Sequence, residues 1–148
     1  MKLANKILIA FLAPVIGGLV AIAIVVHLFA YSNSLAGFSE RVRQSANPEE
    51  LREWALKLIT NYRTNNPKQI PLESIPSALK TLRVSDPMLS AFVDTEDRYG
   101  QPYVKVYWWS SFGGNKGILI GSTNFVVSQG KRCIMWTQGI YFADPKEY

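Results

Sequence analysis

Between Ile7 and Tyr31 the chain carries no Asp, Glu, Lys or Arg, and this 25-residue run is headed by the short basic tail MKLANK. A helix of that length rises about 37 Å, which exceeds a hydrocarbon core of roughly 30 Å. Each Leu or Ile near the centre favours insertion by a few tenths of a kcal/mol, whereas a central Lys or Asp would cost about 2.5–3.5 kcal/mol. The run therefore reads as a transmembrane signal-anchor over residues 1–31. A cleaved signal peptide is the competing reading, with Ser34-Leu35-Ala36 before Gly37 as its small-residue cleavage site. Its apolar region would normally span only about 7–15 residues, fewer than are present here. No Cys stands directly after the run, so a lipoprotein anchor is excluded. Lys2, Lys6 and the free amine precede the run, and Arg41 and Arg43, partly offset by Glu40, follow it. The basic tail favours the cytoplasmic side, which places the C-terminal domain outside the cytoplasm.

The formal charge is +5, from 16 Lys and Arg against 11 Asp and Glu. Two of the lysines precede the run and every acid follows it, so the remainder carries 14 basic (16 − 2) and 11 acidic groups, a net +3. Such an excess suits loose attraction to anionic headgroups, at about 1 kcal/mol for each Lys or Arg close to the surface. It is too dilute for the dense basic face that nucleic acid requires. The lipid bilayer is accordingly the first expected partner. Cys133 is the only cysteine and forbids an intrachain disulfide; His27 is the only histidine and lies inside the apolar run.

The expected fold class is α+β: the transmembrane helix, then a domain with one amphipathic helix, a short helix and an antiparallel β-meander of four to five strands. Residues 32–46 are mostly small and polar and read as a juxtamembrane linker or a frayed continuation of the first helix. The domain spans 47–148. Asn47 can cap, Pro48 suits the first helical position, and Glu50 stands where a capping box wants it. Leu51, Trp54, Ala55, Leu58, Ile59 and Tyr62 follow at helical spacing, and Asn65-Asn66-Pro67 ends the element. Pro67, Pro71 and Pro76 mark 67–76 as loop or turns, and a short helix from Pro76 to Leu82 presents Leu79 and Leu82. Strands are expected at Ser90–Glu96, Tyr103–Trp109, Gly117–Ser122 and Arg132–Phe142, with Thr123–Val127 continuing the third or forming its own.

A turn centred on Tyr99-Gly100 would pair Asp94 with Lys105 and Val93 with Val106. One face then collects Ala91, Val93, Thr95, Val104, Val106 and Trp108, for the 48–64 helix to cover. The other collects Phe92, Asp94, Glu96, Tyr103, Lys105, Tyr107 and Trp109. Three aromatics and a lysine in a row exceed what a solvent face needs. Tyr103, Lys105, Tyr107 and Trp109 are therefore the candidate binding residues for a protein or saccharide ligand, their rings combining apolar area with polar tips. Only the 67–87 loop and Ala143–Tyr148 remain to cover them, and neither is strongly apolar.

In the apolar run, Ala13, Gly17 and Ala21 recur every four residues, a spacing that lets another membrane helix approach closely. His27 lies four residues from its end, within reach of the interface, so haem ligation or proton transfer is the weaker reading. Ser110 through Gly117 offers small residues, two hydroxyls and Lys116, but lacks the G-x-x-x-x-G-K-[ST] spacing of a phosphate loop. Asp94, Glu96 and Asp97 could hold Ca²⁺ or act as a carboxylate pair, yet alternation makes them a solvated hairpin. No metal site, cofactor or catalytic centre is expected.

The leading functional expectation is a single-pass, membrane-anchored binding or accessory protein, possessing other membrane proteins as candidate partners. One alternative is a membrane-tethered enzyme working through carboxylates or a pair of Ser110 or Ser111 with Lys116. The other is a structural subunit. An N-terminal apolar helix followed by an antiparallel sheet is similar in outline to type IV pilins and pseudopilins. Their processing motif, a Gly, an aromatic or Met, and a Glu five residues on, is not matched at Lys6-Ile7, and no Glu lies in the run.

Overall fold

In a computed structural model the chain divides into two compact units, Met1–Asn33 and Ser34–Tyr148. The structure describes residues 3–61, 68–82, 88–94, 101–109, 115–127 and 133–144. The first unit is one helix, α1 (Leu3–Ser32), which passes through Pro14 without interruption. Its stretch Leu12–Ser32 is long and apolar enough to cross a membrane. The Phe29 carbonyl accepts the Asn33 N–H at 3.1 Å and, at 3.0 Å each, also Ser32 Oγ and Asn33 Nδ2.

The second unit is an α+β domain. Its first element is α2 (Leu35–Ser45), where a linker or frayed extension was expected. The reason is local and apolar at once. Ser34 caps the helix by accepting from the Gly37 N–H at 3.0 Å, and Leu35, Phe38 and Val42 fall on one stripe of an otherwise polar segment. Phe38 and Val42 are fully buried. Asn47 then starts α3 (Pro48–Asn61), its Oδ1 accepting from the Glu49 N–H at 2.9 Å. Leu51 and Ala55 are buried on α3, with Trp54, Leu58 and Ile59 packed beside them. Tyr62 lies outside the described residues.

Six strands form one antiparallel sheet in the order β1-β2-β3-β4-β6-β5. They are β1 (Lys68–Ile70), β2 (Met88–Asp94), β3 (Tyr103–Trp109), β4 (Lys116–Ile120), β5 (Cys133–Thr137) and β6 (Ile140–Ala143). A 3-10 turn (Leu72–Ser74) and the one-turn α4 (Ser77–Lys80) follow β1, and Leu79 and Leu82 are buried as the spacing predicts. The sheet has more strands than the four to five expected, and the additional ones arise in separate ways. Three residues of the proline-bracketed 67–76 stretch pair with β2 as an edge strand, where flanking prolines do not disturb the ladder. The run expected as one strand over 132–142 folds into a hairpin, because Gly139 adopts φ +80° and reverses the chain between Thr137 and Ile140.

The β2–β3 register also differs from the expected one. Val93 faces Val104, Phe92 faces Lys105 and Asp94 faces Tyr103, a slip of two residues. Side chains alternate with period two, so a two-residue slip leaves every residue on its expected face but removes the proposed Asp94–Lys105 pair. Thr95, Glu96, Asp97 and the expected Tyr99-Gly100 turn lie outside the described residues.

Helices α2 and α3 cover one sheet face and bury Ala91, Val93, Val104, Val106, Trp108, Ile118, Ile120, Ile140 and Phe142 in the main core. Phe38 sits at its centre, edge-on to both Trp108 and Phe142. Trp54 Nε1 donates to the Ser74 carbonyl at 2.7 Å and ties α3 to the 3-10 turn.

Candidate functional site

The second sheet face is split into two halves with different fates. Over β4 and β6 it is covered by the chain itself. Residues 121–127 follow β4 and pack Phe125 and Val127 against Tyr103, Leu119, Tyr141 and Ala143. Phe125 stacks on Tyr103 at 5.0 Å and takes the edge of Tyr141 at 5.7 Å. Tyr141 Oη donates to the Phe125 carbonyl, Ser122 Oγ bonds Gln101 Oε1, and Gln101 Nε2 reaches the Asn124 carbonyl. This strap is the cover that was sought in 67–87 and 143–148. Its Phe125-Val126-Val127 run reads as strand, but among the described residues it forms no strand.

Tyr103 is consequently a member of a second core, 2 % exposed, and does not line a surface. Lys105 and Tyr107 are half-buried on the other half of the face, over β2 and β3. They are joined there by Phe92 and Ser90, also half-buried, and by the exposed Gln69 of β1. Lys105 Nζ lies 4.6 Å from the centroid of the Tyr107 ring, a cation–π contact worth about 0.5–1 kcal/mol at an open site. The Phe92 and Tyr107 rings are 6.4 Å apart and tilted. Gly117 explains why Tyr107 lies down on the sheet. It faces Tyr107 across β3–β4, and a Cβ there would stand 3.2 Å from Tyr107 Cδ1. The strap's Phe125 and Val127 pack on the other half and not on this one. The side chain of Trp109 lies outside the described residues.

Of the other sequence candidates, Ala13, Gly17 and Ala21 are exposed on α1, with nothing within 4 Å of a Cβ built at Gly17. His27 is likewise exposed. Ser110 and Ser111 fall outside the described residues. Lys116, expected in a loop, is the first residue of β4. Among the described residues no three His, Cys, Asp or Glu side chains gather as metal ligands.

Lys116 is the residue whose setting the sequence did not disclose. It faces Trp108 across β3–β4, so its stem lies on the helix-covered side, and the residue is 9 % exposed. Burial holds its ammonium below the ordinary lysine value of 10.5; Asp144 opposes that shift and Arg41 adds to it. The linkage has a definite sign. The unfolded chain holds this proton more tightly, so stability rises with pH between the folded value and 10.5. Chemical unfolding at a series of alkaline pH values should show this rise, and Lys116→Met should flatten it.

No family model, curated protein or solved structure matches the chain. What the fold and the face define is an α+β domain, one sheet side closed by helices and the other half closed by its own strap, following an apolar helix.

Proposed function

We propose that the protein is a single-pass, membrane-anchored accessory subunit whose domain, held outside the cytoplasm, binds a partner membrane protein through the open half of its second sheet face. The observation that carries this reading is the division of that face. The chain invests a strap in burying Tyr103 and Tyr141, yet leaves Phe92, Lys105 and Tyr107 half-buried on the same sheet face. Aromatic rings are enriched at interface centres, where apolar area and a polar tip act together, and a lysine beside them can steer a partner by its charge. Sheet edges offer a partner less. β1 has three residues and is bracketed by Pro67 and Pro71, and on β5 the Met135 carbonyl already accepts from Arg43 Nη2 at 3.2 Å. The apolar helix supports anchoring, and the basic tail supports the orientation.

The test is recovery of partners from detergent-solubilised membranes by the tagged full-length chain, wild type against Lys105→Glu. The variant should lose at least about 90 % of the co-purifying partner, as expected for reversing a charge near an interface centre. Its melting temperature should fall by no more than about 8 °C, since losing the cation–π contact with Tyr107 costs about 0.5–1 kcal/mol. Equal recovery by both proteins would remove the surface from consideration, and a saccharide that protects Tyr107 from modification would redirect it to carbohydrate. Labelling Gln69→Cys, in a Cys133→Ser background, with an impermeant maleimide on intact cells reads the orientation. Labelling only after lysis would reverse it.

A further inference from the structure

We infer that the fold closes the Ala36–Gly37 bond, the candidate site of signal-peptide cleavage, to processing, so that the mature domain keeps Ser34–Ala36. This rests on the proposed reading of residues 1–31 as an anchor and deepens it; the sheet face plays no part.

Residues on both sides of the bond build the first turn of α2. Upstream, Ser34 is the N-cap: its Oγ accepts from the Gly37 N–H at 3.0 Å, and its carbonyl accepts from the Phe38 N–H at 3.0 Å. The Ala36 carbonyl accepts from Ser39 Oγ at 2.7 Å. Leu35 packs against the main core. Downstream, Gly37, Phe38 and Ser39 are all buried. The compact unit accordingly begins at Ser34, ahead of the bond. Ser34, which supplies one small residue of the cleavage pattern, is accounted for by capping.

A peptidase takes the chain on both sides of its bond in extended form. In the folded domain that form exists only while α2 is locally opened, and opening it frees Phe38 from the core. Cleavage before folding leaves a chain that cannot rebuild the turn. Its new ammonium would stand on Gly37, at a buried position and at the positive end of the helix. The Phe38 N–H would lose the Ser34 carbonyl, and the buried Ser39 hydroxyl would lose the Ala36 carbonyl. The core would lose Leu35. Phe38, which meets both Trp108 and Phe142, would become the second residue of a chain whose end frays.

Two measurements on the full chain test this. Intact-mass analysis of the protein extracted from membranes should find Ser34–Ala36 still attached. A chain cut between Tyr31 and Ser34 would agree with that expectation while ending the anchored reading, so the two fail separately. Elastase, which cuts after alanine, is then added to the detergent-solubilised protein, and mass spectrometry follows cleavage at Ala36–Gly37. Each rate is referred to that of the same chain unfolded in urea. Phe38→Ala, which loosens α2, should be cut there at least about 100-fold faster than the wild type. Ser34→Ala keeps the small-residue pattern but removes the cap, and should be cut about 5-fold faster. Ser34→Asp breaks the pattern but keeps a capping oxygen, and should stay at the wild-type rate. A folded domain beginning at Gly37, or wild-type cleavage as fast as that of Phe38→Ala, would overturn the inference.

Discussion

Replacing Phe38 with Ala should destabilise the domain by about 3–5 kcal/mol, the cost of truncating a buried aromatic to a cavity. The residue is fully buried between the sheet and α2. It makes edge-on contacts with Trp108 at 5.1 Å and Phe142 at 5.9 Å, each adding about 0.5–1.5 kcal/mol beyond the area it buries. A domain of this size has roughly 5–15 kcal/mol of stability in total, so the variant should be close to unfolding at ordinary temperatures. Urea titration of the full chain in detergent, followed by tryptophan fluorescence, reads the effect directly because Trp108 is a neighbour. A loss below about 1 kcal/mol, the size of an ordinary surface change, would mean that α2 lies on the domain without being part of its core.

Phe38 also shows what the sequence makes legible and what it conceals. The apolar run, the α3 start at Asn47-Pro48 and the alternation along β3 are strong because each repeats a single physical rule over many residues. α2 has just Leu35, Phe38 and Val42 to mark its buried stripe among Ser, Glu, Arg and Gln, so mean composition hides a helix that three positions reveal. The β2–β3 slip is invisible for a different reason. Face assignment depends on parity, and registers two residues apart bury the same side chains. The division of 133–143 into two strands hinges on Gln138-Gly139, which lacks the Asn-Gly or Asp-Gly signature of a tight hairpin.

The candidate surface was readable to the same degree. Alternation placed Tyr103, Lys105 and Tyr107 on one face, but could not say that Phe125 would return to cover the first of them. Tyr103 and Tyr107 differ in fate because of what lies opposite. Tyr103 meets the strap, whereas Tyr107 settles over Gly117, where the absence of a side chain makes room for a ring. Lys116 could be suspected only as part of a glycine-rich loop, since its burial depends on α2 and β6, which are distant in the chain.

Gly139→Ala should be at least as damaging as the loss of Phe38, costing roughly 4 kcal/mol or more through two separate causes. The first is the backbone: φ +80° lies in the left-handed region, which a residue with a Cβ adopts at a cost of about 1–3 kcal/mol. The second is space. A Cβ at this position would stand 2.1 Å from the Ser122 carbonyl oxygen and 2.8 Å from its carbon, both of them main chain. These atoms cannot swing aside as a flexible side chain would. The neighbouring Gly121 N–H donates to the Gly139 carbonyl at 2.8 Å, so the hairpin turn and the start of the strap are locked back to back. Gly121 is itself restricted, because a Cβ there would meet Phe125 at 2.5 Å, and Phe125 is held between Tyr103 and Tyr141. Gly139→Asn separates the two causes. Asn accepts left-handed backbone far more readily than Ala but brings the same Cβ. Urea titration should therefore find Asn nearly as destabilising as Ala. If Asn restored most of the stability, backbone strain alone would explain the glycine, and the close packing of hairpin on strap would carry no weight.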